Sequence, residues 1–300
     1  GGQPAGALPV QPQCLLGGSG AALVSAARLT APAQGRIEAT FARLKSEGRT
    51  GFVAFLTVGY PDVESTLAFV PALVEGGADI IELGVPFSDP LAEGPTIQQS
   101  SYHALQHGVT PKVCLEVTAR LRAAGLEAPI IPMGYYNPLC AYGLERFASD
   151  AARAGADGMI VVDLPPEESD PFRQACIANN LRLIYLLAPT STEERIELVA
   201  GVASGFIYCV SLTGVTGARD EVSADLEAFV RRVRKHTDLP IAVGFGISQP
   251  KHFQTVGRIA DAAVIGSAII DEINRVDQSQ QAARLKAYAE VVTGRRRAAR

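Results

Sequence analysis

Three carboxylates stand close together in the stretch IIELGVPFSDPLAEGP, residues 80–95. Glu82 lies near the end of an apolar run. Asp89 and Glu93 follow in a turn rich in Pro and Gly. An acid inside an apolar run costs free energy unless it is hydrogen-bonded. Two readings of Glu82 therefore stay open. It is a structural acid satisfied by hydrogen bonds, or a carboxyl whose raised pKa suits it to proton transfer.

A second group of residues suits an anion. Gly244, Gly246 and Ser248 follow one apolar run, and Gly266 and Ser267 end another. Small residues let backbone N–H groups approach a phosphate, and a helix N-terminus favours negative charge there. Each glycine alone serves a tight turn equally well. Both sites together point to a phosphate corner.

Other chemistries lack their residues. Lys45, Lys112, Lys235, Lys251 and Lys286 are the only lysines, and none falls in an apolar run, so a Schiff-base nucleophile is not in view. His103 and His107 stand four apart on a helical segment, a spacing that could bind metal, but no third ligand is near in sequence. They read as an exposed helix face, and no metal site is expected. No GxSxG elbow appears. Cys14, Cys114, Cys140, Cys176 and Cys209 are odd in number and contain no CxxC pair. That argues for a reducing compartment rather than a disulfide framework or a zinc site.

The elements that must position these residues form a repeat. Eight short runs rich in Val and Ile read as strands: 51–57, 79–85, 129–135, 157–163, 181–187, 205–211, 240–245 and 261–266. None alternates cleanly with polar residues, as expected of parallel strands covered on both faces. Amphipathic segments such as 64–77, 144–156 and 225–236 lie between them. Eight βα units in roughly 250 residues predict an α/β fold, a closed eight-stranded parallel (β/α)8 or TIM barrel. An open doubly wound sheet usually shows an early GxGxxG, which is absent here. A helix over 36–48 is expected to cap the bottom before the first strand, and the second unit is long enough for two helices. In such a barrel the site lies at the C-terminal ends of the strands. Strand alternation puts Ile80, Glu82 and Gly84 on one face and Ile81 and Leu83 on the other; if Ile81 and Leu83 meet the helices, Glu82 points into the barrel mouth.

The expected organisation is an extension over 1–35, a barrel over 36–276, and a C-terminal helix with a basic tail over 277–300. The extension carries no acid and a single charge, Arg28. It reads as a flexible segment or the remnant of a targeting peptide. A cytoplasmic location is expected, with a plastid or other organelle as the alternative if the remnant reading holds. Net charge is −4, which favours neither nucleic acid nor an anionic membrane as partner. No apolar run approaches a membrane span.

The motifs ELGVPFSDPLAEGPTIQ, VVDLPPEES, SLTGVTGA, GFGIS and IGSAI occur in this order. Together they resemble the tryptophan synthase α-subunit family across the whole barrel. MGYYNPL and VVDLPPEE look most like the α portion of the fused fungal type. The resemblance implies retro-aldol cleavage of indole-3-glycerol phosphate to indole and glyceraldehyde 3-phosphate, in tryptophan biosynthesis. It implies Glu82 as principal acid/base and Glu93 as the carboxylate near the indole nitrogen. Many members read LADGP where this chain reads LAEGP, a reach longer by roughly 1.5 Å. Phe55 and Tyr135 would line the indole pocket, with Tyr208 near the substrate and Thr216 bonding the second acid from a loop. Gly217, Gly246, Gly266 and Ser267 would grip the phosphate. Leu212 stands where many bacterial members have Arg. Asp89 and Pro90 would face a β-subunit partner, and pyridoxal phosphate would belong to that partner, leaving no cofactor in this chain. A stand-alone indole-releasing lyase, or a weakened barrel that mainly activates a β partner, are the alternatives.

Overall fold

The computed structural model describes residues 35–210, 224–244 and 246–295. Among them, eight parallel strands close into one barrel in sequence order. The first half runs α1 (Arg36–Ser46), β1 (Gly51–Thr57), α2 (Val63–Gly76), β2 (Ile80–Gly84), α3 (Pro95–Gln106), α4 (Pro111–Ala123), β3 (Ile130–Gly134), α5 (Tyr136–Tyr142), α6 (Leu144–Ala154) and β4 (Gly158–Val161). The second runs α7 (Asp170–Ala178), β5 (Arg182–Leu187), α8 (Glu193–Val202), β6 (Ile207–Val210), α9 (Ala224–Arg234), β7 (Ile241–Gly244), α10 (Pro250–Val256), β8 (Ala262–Ile265), α11 (Ser267–Asn274) and α12 (Gln278–Val292). No helix among the described residues is long and apolar enough to cross a membrane.

The strands read as unbroken apolar runs because both faces are covered. Alternation then sorts their side chains into two cores. Phe52, Ala54 and Leu56 of β1, with Ile81 and Leu83 of β2, pack outward against the helices. Val53, Phe55, Ile80, Ile131, Ile160 and Ile184 fill the barrel. The bottom is closed by α1. Its Ile37, Phe41 and Leu44, spaced to share one helical face, join the interior cluster. The Phe41 and Phe206 rings lie 5.7 Å apart. At the C-terminal end, α12 presses closely on α2. A Cβ at Gly76 would come 2.6 Å from the Lys286 carbonyl, so only glycine fits.

A repeated contact fixes the strand starts. The Asp79 carboxylate accepts the Phe52 N–H at 3.0 Å, Asp157 that of Ile130 at 2.8 Å and Asp261 that of Ile241 at 2.7 Å. The Ser204 hydroxyl accepts the Leu183 N–H at 2.9 Å. Thus the residue leading into each even-numbered strand caps the start of the odd strand before it. Arginines neutralise the acids: Arg43 and Arg49 at Asp79, Arg36 and Arg122 at Asp157, Arg234 at Asp261. Removing a buried, paired carboxylate strands both its cations and its N–H donor. Asp157→Ala is expected to lower unfolding free energy by about 3 kcal/mol, and Ser204→Ala by about 1 kcal/mol. Urea denaturation measures both, and a loss at Asp157 no larger than that at Ser204 would show the ring to be dispensable.

Candidate active site

Glu82 is placed by the pleat of β2. Its register neighbours are Phe55 on β1 and Ile131 on β3, both interior residues. The side chain is wholly buried, and neither carboxylate oxygen has a hydrogen-bond partner. The hydrogen bonds that the structural reading of this acid requires are not found among the described residues. Burial pushes its pKa up to about 8, with a further rise from the negative charge of Glu93.

Glu93 ends the loop after β2, directly before Gly94, the N-cap of α3. Burial raises its pKa to about 7. Its N–H donates to the Pro90 carbonyl at 3.0 Å, and its carbonyl accepts from Gln98 Nε2 at 2.9 Å. Tyr208 enters the barrel from β6. Burial first, then Glu82 and Glu93, hold its hydroxyl well above the ordinary phenol range. Two strand glycines make room for the aromatic rings. A Cβ at Gly84 would sit 2.5 Å from Phe55 Cζ, and one at Gly244 would sit 2.7 Å from Tyr208 Cζ.

Above these residues a cavity of about 250 Å³ is lined by Phe55, Glu93, Tyr208, Gly246, Gly266 and Ser267. A second, of about 710 Å³, shares Glu93, Met133 and Tyr208 and extends to Asp163, Leu187 and Arg195. Tyr135 and Phe55 meet in a narrow cleft beside the Glu93 loop. The fold therefore gathers one acid, the aromatic walls and the small-residue corner around one space. Glu82 adds no surface to these cavities. Proton transfer requires its carboxyl to turn toward them.

Some expectations need correction in detail. Gly266 is the N-cap of α11 and Ser267 its first residue, as expected. Gly246 is not at a helix N-terminus, because α10 begins at Pro250. It sits instead in the preceding turn with φ +70°, where glycine is favoured. Thr57, which ends β1, and Tyr60, in the loop after it, are tied to helices: Thr57 to Ser100 at 2.6 Å and Tyr60 to Asn274 at 2.6 Å. His103 is half-buried, bonded to the Pro61 carbonyl at 2.9 Å and stacked on His107 at 4.3 Å. His107 is exposed, but it is the C-cap that follows α3 rather than a residue of the helix face. Asp89 is exposed and Pro90 half-buried in a local turn beside Leu91, which is 90% exposed. Leu212, Thr216, Gly217 and Phe245 lie outside the described residues.

Sequence reasoning missed Ser101 and Gln98 of α3. The Ser101 hydroxyl both accepts the Phe87 N–H at 2.9 Å and donates to the Phe87 carbonyl at 3.0 Å. The adjacent pair Ser100–Ser101, buried on a helix that packs against strands, was the one available signal.

The family profile described as tryptophan synthase alpha chain matches residues 41–298. The chain belongs to that family. A tryptophan synthase alpha chain of Roseiflexus sp. (strain RS-1) is 51% identical over 259 residues, covering 86% of this chain and 99% of that one. The tryptophan synthase of Saccharomyces cerevisiae is 52% identical over 236 residues, 78% of this chain but 33% of the yeast protein. The crystal structure of the tryptophan synthase α subunit from Legionella pneumophila str. Paris superposes with a TM-score of 0.81 at 36% identity, covering 87% of this chain and 98% of that one. The resemblance carried by the five motifs thus holds across the barrel, and the α chain and the fused yeast enzyme match almost equally well.

The buried acid of this tryptophan synthase α-family barrel sets a pH dependence of stability. The folded state binds the Glu82 proton more tightly than the unfolded chain, whose carboxyl keeps the ordinary value of 4.5. Stability contributed by the neutral acid is therefore lost as pH rises from 4.5 toward about 8. Glu82→Gln should grow more stable relative to wild type across that window in denaturation curves. A stability difference that does not change with pH would contradict the raised pKa.

Proposed function

We propose that Glu82 and Glu93 together cleave indole-3-glycerol phosphate to indole and glyceraldehyde 3-phosphate. The observation that carries this reading is the unpartnered, wholly buried Glu82 carboxyl beneath a cavity that also holds Glu93 and the Gly266–Ser267 corner. Near neutral pH, Glu82 (about 8) stays protonated and Glu93 (about 7) is partly ionised. Two carboxyls with separated pKa values divide acid and base roles.

The steps balance with one carboxyl cycling. Neutral Glu82 gives its proton to indole C3, and positive charge develops on the ring. The Glu93 carboxylate stabilises that charge at the ring N–H. Ionised Glu82 then takes the proton of the side-chain hydroxyl next to the ring. The C–C bond breaks, its electrons return to the ring, and the aldehyde forms. Glu82 ends protonated, as it began. The phosphate sits against the Gly246, Gly266 and Ser267 backbone; Gly217 and Thr216, outside the described residues, keep the roles the resemblance implies, a phosphate contact and a bond to Glu93. Phe55, Tyr135 and Tyr208 hold the ring. Asp89, Pro90 and the exposed Leu91 form the surface offered to a β subunit, whose pyridoxal phosphate would consume the indole.

An indole-release assay with and without an added β subunit tests the assignment, including the stand-alone alternative. Glu82→Gln should abolish release while affinity for a phosphate ligand stays within a few-fold. Retained activity there would sink the reading. Glu93→Ala should cost at least ~10²-fold and Glu93→Asp little, as expected for loss or retention of a general acid–base group. Because the active form needs Glu82 protonated and Glu93 ionised, kcat/KM should be bell-shaped, with limbs set by the pair near 7 and 8. A flat profile across that range excludes this division of roles.

A further inference from the structure

The loop from Val85 to Gly94 carries Glu93 but has no regular structure of its own. Its ties can be counted. Val85 N–H donates to the Met133 carbonyl at 2.7 Å at the root, and Ser101 grips Phe87 through both backbone groups. Beyond Phe87 the bonds from Leu91 N–H to Asp89 and from Glu93 N–H to Pro90 stay inside the loop. Gln98, which holds the Glu93 carbonyl, belongs to the helix the loop runs into. Among the described residues, one hydrogen bond ties the segment 88–93 to the strand side of the barrel. It runs from the Ala92 N–H to the Tyr135 hydroxyl, at 3.1 Å.

Tyr135 is well placed to serve as an anchor. It follows β3 directly, is 7% exposed, and packs its ring on Phe87 with centroids 5.1 Å apart. The same side chain thus touches the loop at both ends, by ring contact near its root and by hydrogen bond one residue before Glu93. Displacing a reacting group by about 1 Å is enough to cost on the order of 10²-fold in rate. A loop held on the strand side by one bond exposes Glu93 to such a displacement.

We propose that Tyr135 is a positioning residue, whose hydroxyl fixes Glu93 in the site through the Ala92 N–H, in addition to lining the pocket. This rests on the reading of Glu93 as the second active-site carboxylate. Removing one oxygen separates the two roles, because phenylalanine keeps the ring, its contact with Phe87 and the pocket wall.

The experiment measures Tyr135→Phe in the full chain. Turnover should fall by about ten-fold or more. Affinity for indole-3-propanol phosphate, which keeps the ring and phosphate but not the reacting hydroxyl, should stay within two-fold. In a Glu93→Gln background, assayed at raised enzyme concentration, the same substitution should change the residual turnover by less than two-fold. Ser101→Ala, which loosens the other grip, should lower turnover in the same direction and likewise lose its effect in that background. Amide exchange at Ala92 should quicken in Tyr135→Phe. Turnover within two-fold of wild type, affinity falling together with turnover, or a full additional loss in the Glu93→Gln background overturns the proposal. If wild type itself releases no indole, the lyase reading fails and the proposal goes with it. If wild type is active and only Tyr135→Phe behaves otherwise than expected, the proposal alone fails.

Discussion

The constraint on which the rest depends is a carboxyl group sealed in the apolar interior of a closed barrel. Glu82 is wholly buried, and no protein group hydrogen-bonds either of its carboxylate oxygens. The surrounding fold must be stable enough to carry that acid, and the acid must stay neutral to be carried. Its raised pKa follows from this directly. The same burial that penalises its anion makes it a proton donor near neutral pH.

The supporting structure lies mostly at the opposite end. The bottom is plugged by Ile37, Phe41 and Leu44, which join the interior cluster below the site. Around that end, Asp79, Asp157, Ser204 and Asp261 repeat one contact at every second strand. These four side chains each accept a backbone N–H, and the three acids also pair with arginines, whereas neither Glu82 oxygen has a hydrogen-bond partner. Paired charges thus lie at the bottom of the barrel and an unpaired, neutral carboxyl lies inside it.

Much of this was legible in the chain. The eight strands fall within one or two residues of their predicted ranges, because runs buried on both faces leave a plain apolar signature. Alternation set Glu82 opposite Ile81 and Leu83, and it is the packing of those two against the helices that turns the acid inward. The sequence misplaced Gly246, since a glycine after a strand looks the same whether it caps a helix or turns the backbone. The Tyr135 hydroxyl bond to Ala92 could not be read at all. It joins residues 43 positions apart through a backbone N–H that no residue type announces. The ring of acceptors at the strand starts was visible as the recurring Ala-Asp of Ala78-Asp79, Ala156-Asp157 and Ala260-Asp261, but its partners were not.

Local pattern by itself determined the barrel and which residues of each strand share a face, because periodicity is a property of short segments; the set of candidate site residues came mostly from the resemblance of ordered motifs to one family. Only the tertiary structure decided that the Glu82 oxygens have no hydrogen-bond partner, that Glu93 and the glycine corner share one cavity, and that a tyrosine just after the next strand bonds the acid's loop. Those facts depend on distances between segments far apart in the chain, and on the exclusion of water that occurs only when the barrel closes.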